Sequence, residues 1–478
     1  MREDPMMGEG RSDTGRVPPG ALVDPWTYRE PASRLIGEAL VDRFAWDRLA
    51  YLGDAFGHRM NGTPGQQLSI DWALAQMRAD GLENVRPESA KVPKWIRGAE
   101  RVTLLDPYPR DLVMVGYGNS VGTGPEGIVA DAIVVRSFEE LEARRAEVPG
   151  KIVVFSPVWR QFPHDESWEN YLALRHFRIS GHARAAEFGA VAVLLRSIYK
   201  PHARQAHTGS LKYQDGIRRI PSAALAPEDA LMLDRIDARG GRIRLRLEMN
   251  ARDEGWVDSA NVVGEIVGRE RPDEVIVLAC QYDSWDNGTS SLDDGCGAIV
   301  VWEAVRLMKK LGLRPRRTVR TVLFTNEENG CTGGMAYRDL HRAQLHNHVA
   351  MLEADSGVLP PMHFRASGTD ETIATVTAIG RLVETLGMGP VATPVRIGTA
   401  EDIHPSVEAG DIPSLTLQGN NEPYSAYHHA HSDMVEAVPP VELARAVAAV
   451  TVMSYVLAEM PQRLPPGKGQ GARGTSDE

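Results

Sequence analysis

Residues 274–296 read EVIVLACQYDSWDNGTSSLDDGC. The opening EVIVLA is a nearly unbroken apolar run rich in β-branched residues. It predicts a strand buried on both faces, as inside a parallel sheet. Polar residues follow at once: Gln281, Tyr282 and Asp283, then Trp285 and Asp286, then Asp293, Asp294 and Gly295. A helix is predicted next over 297–311, with Ile299, Val300, Ala304, Leu307 and Met308 along one stripe. Strand, polar loop and helix form the repeating unit of an α/β protein. Open sheets of that class bind ligands just past the carboxyl ends of their strands.

The unit recurs downstream. A strand over 318–325 (TVRTVLFT) is followed by Asn326, Glu327 and Glu328. One over 347–353 is followed by Asp355, and a short one over 414–417 leads through a loop to YHHAHSD at 427–433. Helices are predicted at 334–342, 370–386 and 441–460. Four strand ends therefore deliver carboxylates or imidazoles, the ligand types for Zn²⁺ and similar ions. Taken alone, an Asp pair before glycine is an ordinary turn or cap and a Glu pair an ordinary solvated surface. Their coincidence at successive strand ends points to a metal site. From the residues alone, His428, His429 or His431 could supply the imidazole.

Upstream, helices are predicted at 32–52 and 65–80, and a strand at 110–116. The texture changes near Gly124, where GIVADAIVV, GKIVVF, VAVLLR and IRLRLEM form short β-rich runs with one clear helix, around 179–188. This predicts a small β-rich module over 124–250, inserted into a larger domain made of 31–123 and 251–461. The ends, 1–30 and 462–478, are polar and rich in Gly and Pro, and disorder is expected there.

The chain has 478 residues, enough for two or three domains. It carries 53 Lys and Arg against 64 Asp and Glu, a net charge of −11, which argues against nucleic-acid binding. Its three cysteines, Cys280, Cys296 and Cys331, show no disulfide spacing. No uninterrupted apolar run of membrane-span length is expected, and the N-terminus lacks a signal-peptide h-region. The expectation is a cytoplasmic protein with no membrane partner. Gly116, Gly118 and Gly122 lack the dinucleotide-loop spacing, so a turn is expected there.

Five stretches carry a resemblance: GTGPEGIVADAIVVRSFEEL (122–141), HTGSLKYQDG (207–216), DSWDNGTSSLDDG (283–295), LGLRPRRTVRTVLFTNEENG (311–330) and YHHAHSD (427–433). The chain resembles the di-zinc aminopeptidase-type metallopeptidases of clan MH, and within them the plasma glutamate carboxypeptidase branch. The resemblance runs from about residue 35 to 461. It implies an α/β, phosphorylase/hydrolase-like mixed sheet flanked by helices, with the β-rich insertion as a protease-associated domain. It also implies a homodimer that hydrolyses small peptides or amide-linked amino acids, using zinc, one or two ions per subunit, with manganese or cobalt as alternatives.

By the same resemblance Asp293 bridges two metals, Glu328 and His429 complete one site, and Asp355 belongs to the other. His429 is chosen among the three histidines by its spacing to Asp433. Glu327 is the general base, and Asp283 is the carboxylate that supports the first-strand ligand. A metal ion lowers the pKa of bound water to about 7 and polarises the scissile carbonyl, and Glu327 would accept the water's proton. Trp285, Tyr427, His404 and His207 are candidates for the substrate side.

The family's first-strand motif is His-x-Asp, and here it is Gln281-Tyr282-Asp283. A glutamine offers only a neutral amide oxygen, a weak ligand for Zn²⁺. Three readings stay open. Two metals still bind, or one binds and the site resembles that of glutaminyl cyclases, serving an amidase, cyclase or C–N lyase. The third is a non-catalytic ligand-binding relative. Cys280, beside Gln281, is a further residue that could meet a metal as a thiolate.

Overall fold

The computed structural model describes residues 17–162, 166–200, 203–392 and 402–467. Two sheets organise them. The first has seven strands in the spatial order Glu83–Ile96, Arg252–Ile266, Arg317–Phe324, Arg271–Gln281, His348–Glu353, Ser414–Gln418 and His363–Ser367. The run Arg317–Phe324, Arg271–Gln281, His348–Glu353 and Ser414–Gln418 is parallel, and the remaining pairings are antiparallel. This is the mixed, helix-flanked sheet expected. The four parallel strands are those whose apolar runs stand out in the sequence, because both their faces are buried.

Side chains alternate across the sheet. Ile276, Leu278 and Cys280 enter the larger core, shared with the helices Cys296–Lys310 and Pro440–Glu459. Val275, Val277 and Ala279 enter a smaller core with Tyr337 and Val407. Gln281 ends the strand on the second face. The two-residue period thus sends the Cys280 thiol away from it.

Three expectations are corrected here. The helix expected over 32–52 is two helices, Arg29–Val41 and Phe44–Phe56. Asp42 separates them: its Oδ1 accepts the Phe44 N–H at 2.8 Å and its Oδ2 pairs with Arg306 at 2.5 Å. Disorder over 1–30 does not extend to 17–30, where Pro25–Tyr28 forms a 3-10 turn capped by Asp24 and the Leu22 N–H donates to Thr375 at 2.9 Å. Residues 1–16 and 468–478 lie outside the described residues. Finally, helix Pro440–Glu459 is long and apolar enough to cross a membrane despite Glu442 and Arg445, though most of it is buried in the protein. It packs against Cys296–Lys310 and Arg29–Val41.

The chain leaves the first sheet after Ile96 and re-enters it at Arg252. Between these points it builds an eight-stranded second sheet, from Glu100–Asp106 to Arg244–Met249. That sheet begins ahead of the texture change at Gly124. The segment over 110–116 is two short strands, Arg110–Leu112 and Met114–Gly116. Among the described residues three α-helices accompany them, Phe138–Ala143, Glu166–Glu187 and Pro227–Ala238, where the sequence suggests one.

Candidate metal centre

Segments from four strand ends meet past the carboxyl edge of the parallel strands. Gln281 closes its strand, and the loop after it brings Asp293 and Asp294 to the start of helix Cys296–Lys310. Asp433 fixes that loop: its two carboxylate oxygens accept the N–H groups of Leu292 at 2.7 Å and Asp293 at 3.0 Å. Asp294 turns the other way, accepting the Gly297 N–H at 2.8 Å and the thiols of Cys296 and Cys280 at 3.2 and 3.4 Å. Cys280 is therefore a buried donor to Asp294 and not a metal ligand, and burial pushes its thiol far above the usual range.

The centre itself is formed by Asp293, Glu328 and two adjacent imidazoles. His429 Nε2 lies 3.1 Å from Glu328 Oε2 and 3.4 Å from Asp293 Oδ2. His428 Nε2 lies 3.5 Å from the same Asp293 oxygen, its ring stacked on that of His429 at 3.7 Å. Asp293, His428 and His429 each bring a ligand atom within 4.8 Å of the others. Asp293 Oδ2 and Glu328 Oε1 are buried and accept no hydrogen bond. On the opposite side Gln281 Nε2 donates to Asp293 Oδ1 and Asp355 Oδ1, each at 3.2 Å.

The electrostatics call for a cation. Burial raises the Asp293 carboxyl to about 7 and Asp294 to about 6. Burial and neighbouring carboxylates push Glu328 and Asp355 well above their usual range. Burial likewise pushes His428 and His429 far below theirs, so both imidazoles are neutral. His429 Nδ1 lies 3.3 Å from the Thr208 carbonyl, which can only accept. The ring proton is therefore on Nδ1, and the bare Nε2 lone pair faces a carboxylate oxygen. A bare imidazole nitrogen beside orphaned buried oxygens fits a divalent ion held by Asp293, Glu328 and His429.

The second sheet contributes to this arrangement. The Thr208 N–H donates to the His429 carbonyl at 3.0 Å, as does Asn287 Nδ2 at 2.8 Å. His207 Nδ1 donates to the His428 carbonyl at 2.7 Å. The Tyr199 hydroxyl bonds His428 Nδ1. His429 sits at φ 61°, a left-handed conformation that a non-glycine residue adopts only when held. His207 is thus a buried clamp on the histidine turn.

Other sequence candidates fall elsewhere. The Glu327 N–H donates to Asp283 Oδ1 at 2.9 Å, and Asn61 Nδ2 donates to the other Asp283 oxygen at 3.2 Å. Asp283 therefore holds the Glu327 backbone and not the side chain at 281, a correction to its expected role. Burial raises Asp283 to about 6. Trp285 is fully buried, edge-on to His429 at 5.9 Å and pressed against Gly118 of the second sheet's segment, so it packs the centre and does not line an open cleft. Tyr427 is half-buried against the large core. His404 is exposed at the start of helix His404–Gly410.

Sequence reasoning missed Tyr199, Asn61, Asn287 and Tyr424. The Tyr424 hydroxyl favours the charged form of Asp293. Only the HTG stretch at 207–209 signalled the clamp.

Residues 261–454 match the sequence profile of Peptidase family M28. Carboxypeptidase Q of Mus musculus is 36% identical over 441 residues, covering 92% of this chain and 91% of that protein. Carboxypeptidase Q of Homo sapiens is 36% identical over 421 residues, covering 88% and 86%. Among solved structures, the peptidase M28 precursor from Shewanella amazonensis SB2B aligns at TM-score 0.86 and 29% identity, over 92% of this chain and 99% of that one. BSAP, a zinc aminopeptidase from Bacillus subtilis, shares the fold at TM-score 0.63 and 20% identity, over 88% and 96%.

Proposed function

The chain belongs to peptidase family M28, and on that premise we propose that this metal-dependent exopeptidase hydrolyses dipeptides, other small peptides or amide-linked amino acids. The observation that carries the reading is the pair of orphaned oxygens, Asp293 Oδ2 and Glu328 Oε1, beside the bare Nε2 of His429. The mixed N and O donors suit Zn²⁺, and they also accept Mn²⁺ or Co²⁺. Bound there, the ion supplies Lewis acidity to water and to the scissile carbonyl.

The chain's own residues do the rest. Asp283 fixes the backbone of Glu327 through its N–H. The Glu327 carboxylate takes a proton from the attacking water and passes it to the leaving amine. Thr208 holds His429 in one tautomer, and Asp433 holds the backbone that carries Asp293. We assign the second sheet to a protease-associated domain and the assembly to a homodimer, on the resemblance of the 122–141 and 207–216 stretches.

The test is a panel of dipeptides and end-blocked peptides, with release of free amino acids followed by chromatography. Hydrolysis of unblocked substrates, abolished by a chelator and restored by Zn²⁺, is expected. No turnover of any member by the reloaded protein overturns the reading. A second reading, cyclisation or amide transfer at a single ion, draws on Gln281. A ring-closed product in place of two free amino acids marks it.

A further inference from the structure

We propose that this centre takes one divalent ion per chain, on the imidazole side of Asp293, and that the Gln281 amide holds the opposite side by joining Asp293 to Asp355. The inference rests on the metal-dependent reading above and adds a stoichiometry and a role for Gln281.

The two oxygens of Asp293 have different surroundings. Oδ2 accepts no hydrogen bond and faces two imidazole nitrogens, at 3.4 and 3.5 Å. Glu328 Oε1, also without a donor, belongs to the same side. Oδ1 is already served by the Gln281 amide at 3.2 Å. That amide has two N–H bonds, and the second goes to Asp355 Oδ1, also at 3.2 Å. Both of its donors are spent on buried carboxylates, the acceptors for which a neutral donor is worth most. A neutral amide thus occupies the ground between Asp293 and Asp355.

A second ion there must displace the amide. Turning it over to offer its oxygen would give up both of these bonds and leave two buried carboxylate oxygens without their donor. Gln281 is 2% exposed, so water does not reach it freely to make up the loss. Cys280, the other candidate beside it, is engaged with Asp294 on the far face of the strand. On the imidazole side, Asp293 Oδ2 and Glu328 Oε1 are the carboxylate oxygens left without a hydrogen bond.

The experiment counts ions on the full-length protein. It is stripped with a chelator, reloaded with excess Zn²⁺, desalted, and measured by native mass spectrometry and elemental analysis. One ion per chain is expected. Gln281→His removes the two-headed donor and adds an imidazole, and should bind two. Asp355→Asn should keep its single ion, whereas Glu328→Gln should weaken binding by about 100-fold. Titration with Co²⁺ gives an independent count, its visible absorption saturating at one equivalent.

Two tight ions in the wild-type protein overturn the inference and leave the peptidase reading standing. None overturns both. One ion in wild type and still one in Gln281→His removes Gln281 as the cause. Loss of the ion in Asp355→Asn places it on the wrong side of Asp293. The wild-type count and the Asp355→Asn count decide the matter even if Gln281→His does not fold.

Discussion

Replacing Asp283 with asparagine should trade one cost for another, with pH deciding which dominates. The carboxyl is fully buried, and burial moves it from 3.8 to about 6. That shift corresponds to about 3 kcal/mol against its charged form in the folded chain. A carboxyl with a raised folded value binds a proton on folding. The penalty is therefore absent below 3.8 and complete once the pH has risen through about 6. The Asp283→Asn change would remove the penalty and keep an oxygen for the Glu327 N–H, now 2.9 Å away. It would also set an amide N–H₂ against Asn61 Nδ2, 3.2 Å from the present oxygen. Asn61 cannot turn over cheaply, since Nδ2 donates to Asn326 at 2.6 Å and its oxygen accepts from Gln66 at 2.7 Å. That mismatch costs about 1–2 kcal/mol. In urea unfolding of metal-free protein, Asp283→Asn should be the less stable form at about pH 4 and the more stable form at about pH 8. The difference should swing by roughly 2–3 kcal/mol. A stability difference that does not change over that range refutes the reasoning.

Glu327→Gln should lower kcat by roughly 10²–10⁴-fold with the ion content unchanged, as read by dipeptide hydrolysis and elemental analysis. Gly118→Ala would place a Cβ 2.1 Å from the Trp285 ring, so it should destabilise the protein by about 1–3 kcal/mol and, because Trp285 packs on His429, weaken the ion. Chemical melts with and without Zn²⁺ check both effects. Chelation should cost about 4 kcal/mol relative to protein held at a thousand times Kd, a drop of roughly 4 °C in Tm for a chain of this length. The loss should be larger above about pH 7, where Asp293 is charged and without its cation, than near pH 5.

The half of the fold that positions the centre is legible because its parallel strands are buried on both faces and read as apolar runs. Strand Glu83–Ile96 is not legible, although its fourteen residues pair with Arg252–Ile266 along most of their length. It lies at the sheet edge and alternates polar with apolar, and it carries Pro87 and Pro93, which an edge strand tolerates because one side makes no ladder bonds. The helix break at Asp42 hides for a different reason: its partner Arg306 is 264 residues away. At the centre, the carboxylates and histidines announce themselves by following strands. Tyr199 does not, because it reaches the centre from 229 residues away and from the other sheet. The sequence also tells little of what Gln281 does, since a glutamine in place of a ligand looks like a loss until its two N–H bonds are seen to be occupied.

Part of the grip of the second sheet on the histidine turn is made through its own main-chain atoms: Thr208 N–H on the His429 carbonyl, the Thr208 carbonyl on His429 Nδ1, and a β-bridge between His207 and Ala430. Such contacts survive almost any change of side chain. An alanine scan across 203–210 would register the loss of the His207 side chain from the His428 carbonyl, but it would pass over these main-chain links between the two halves of the molecule. The link answers only to changes in the chain path itself, such as an inserted residue, a proline at 208 or an ester in place of the 207–208 amide. Grafting a foreign module into this position would have to reproduce a peptide trace to within a hydrogen bond's tolerance, whatever its sequence.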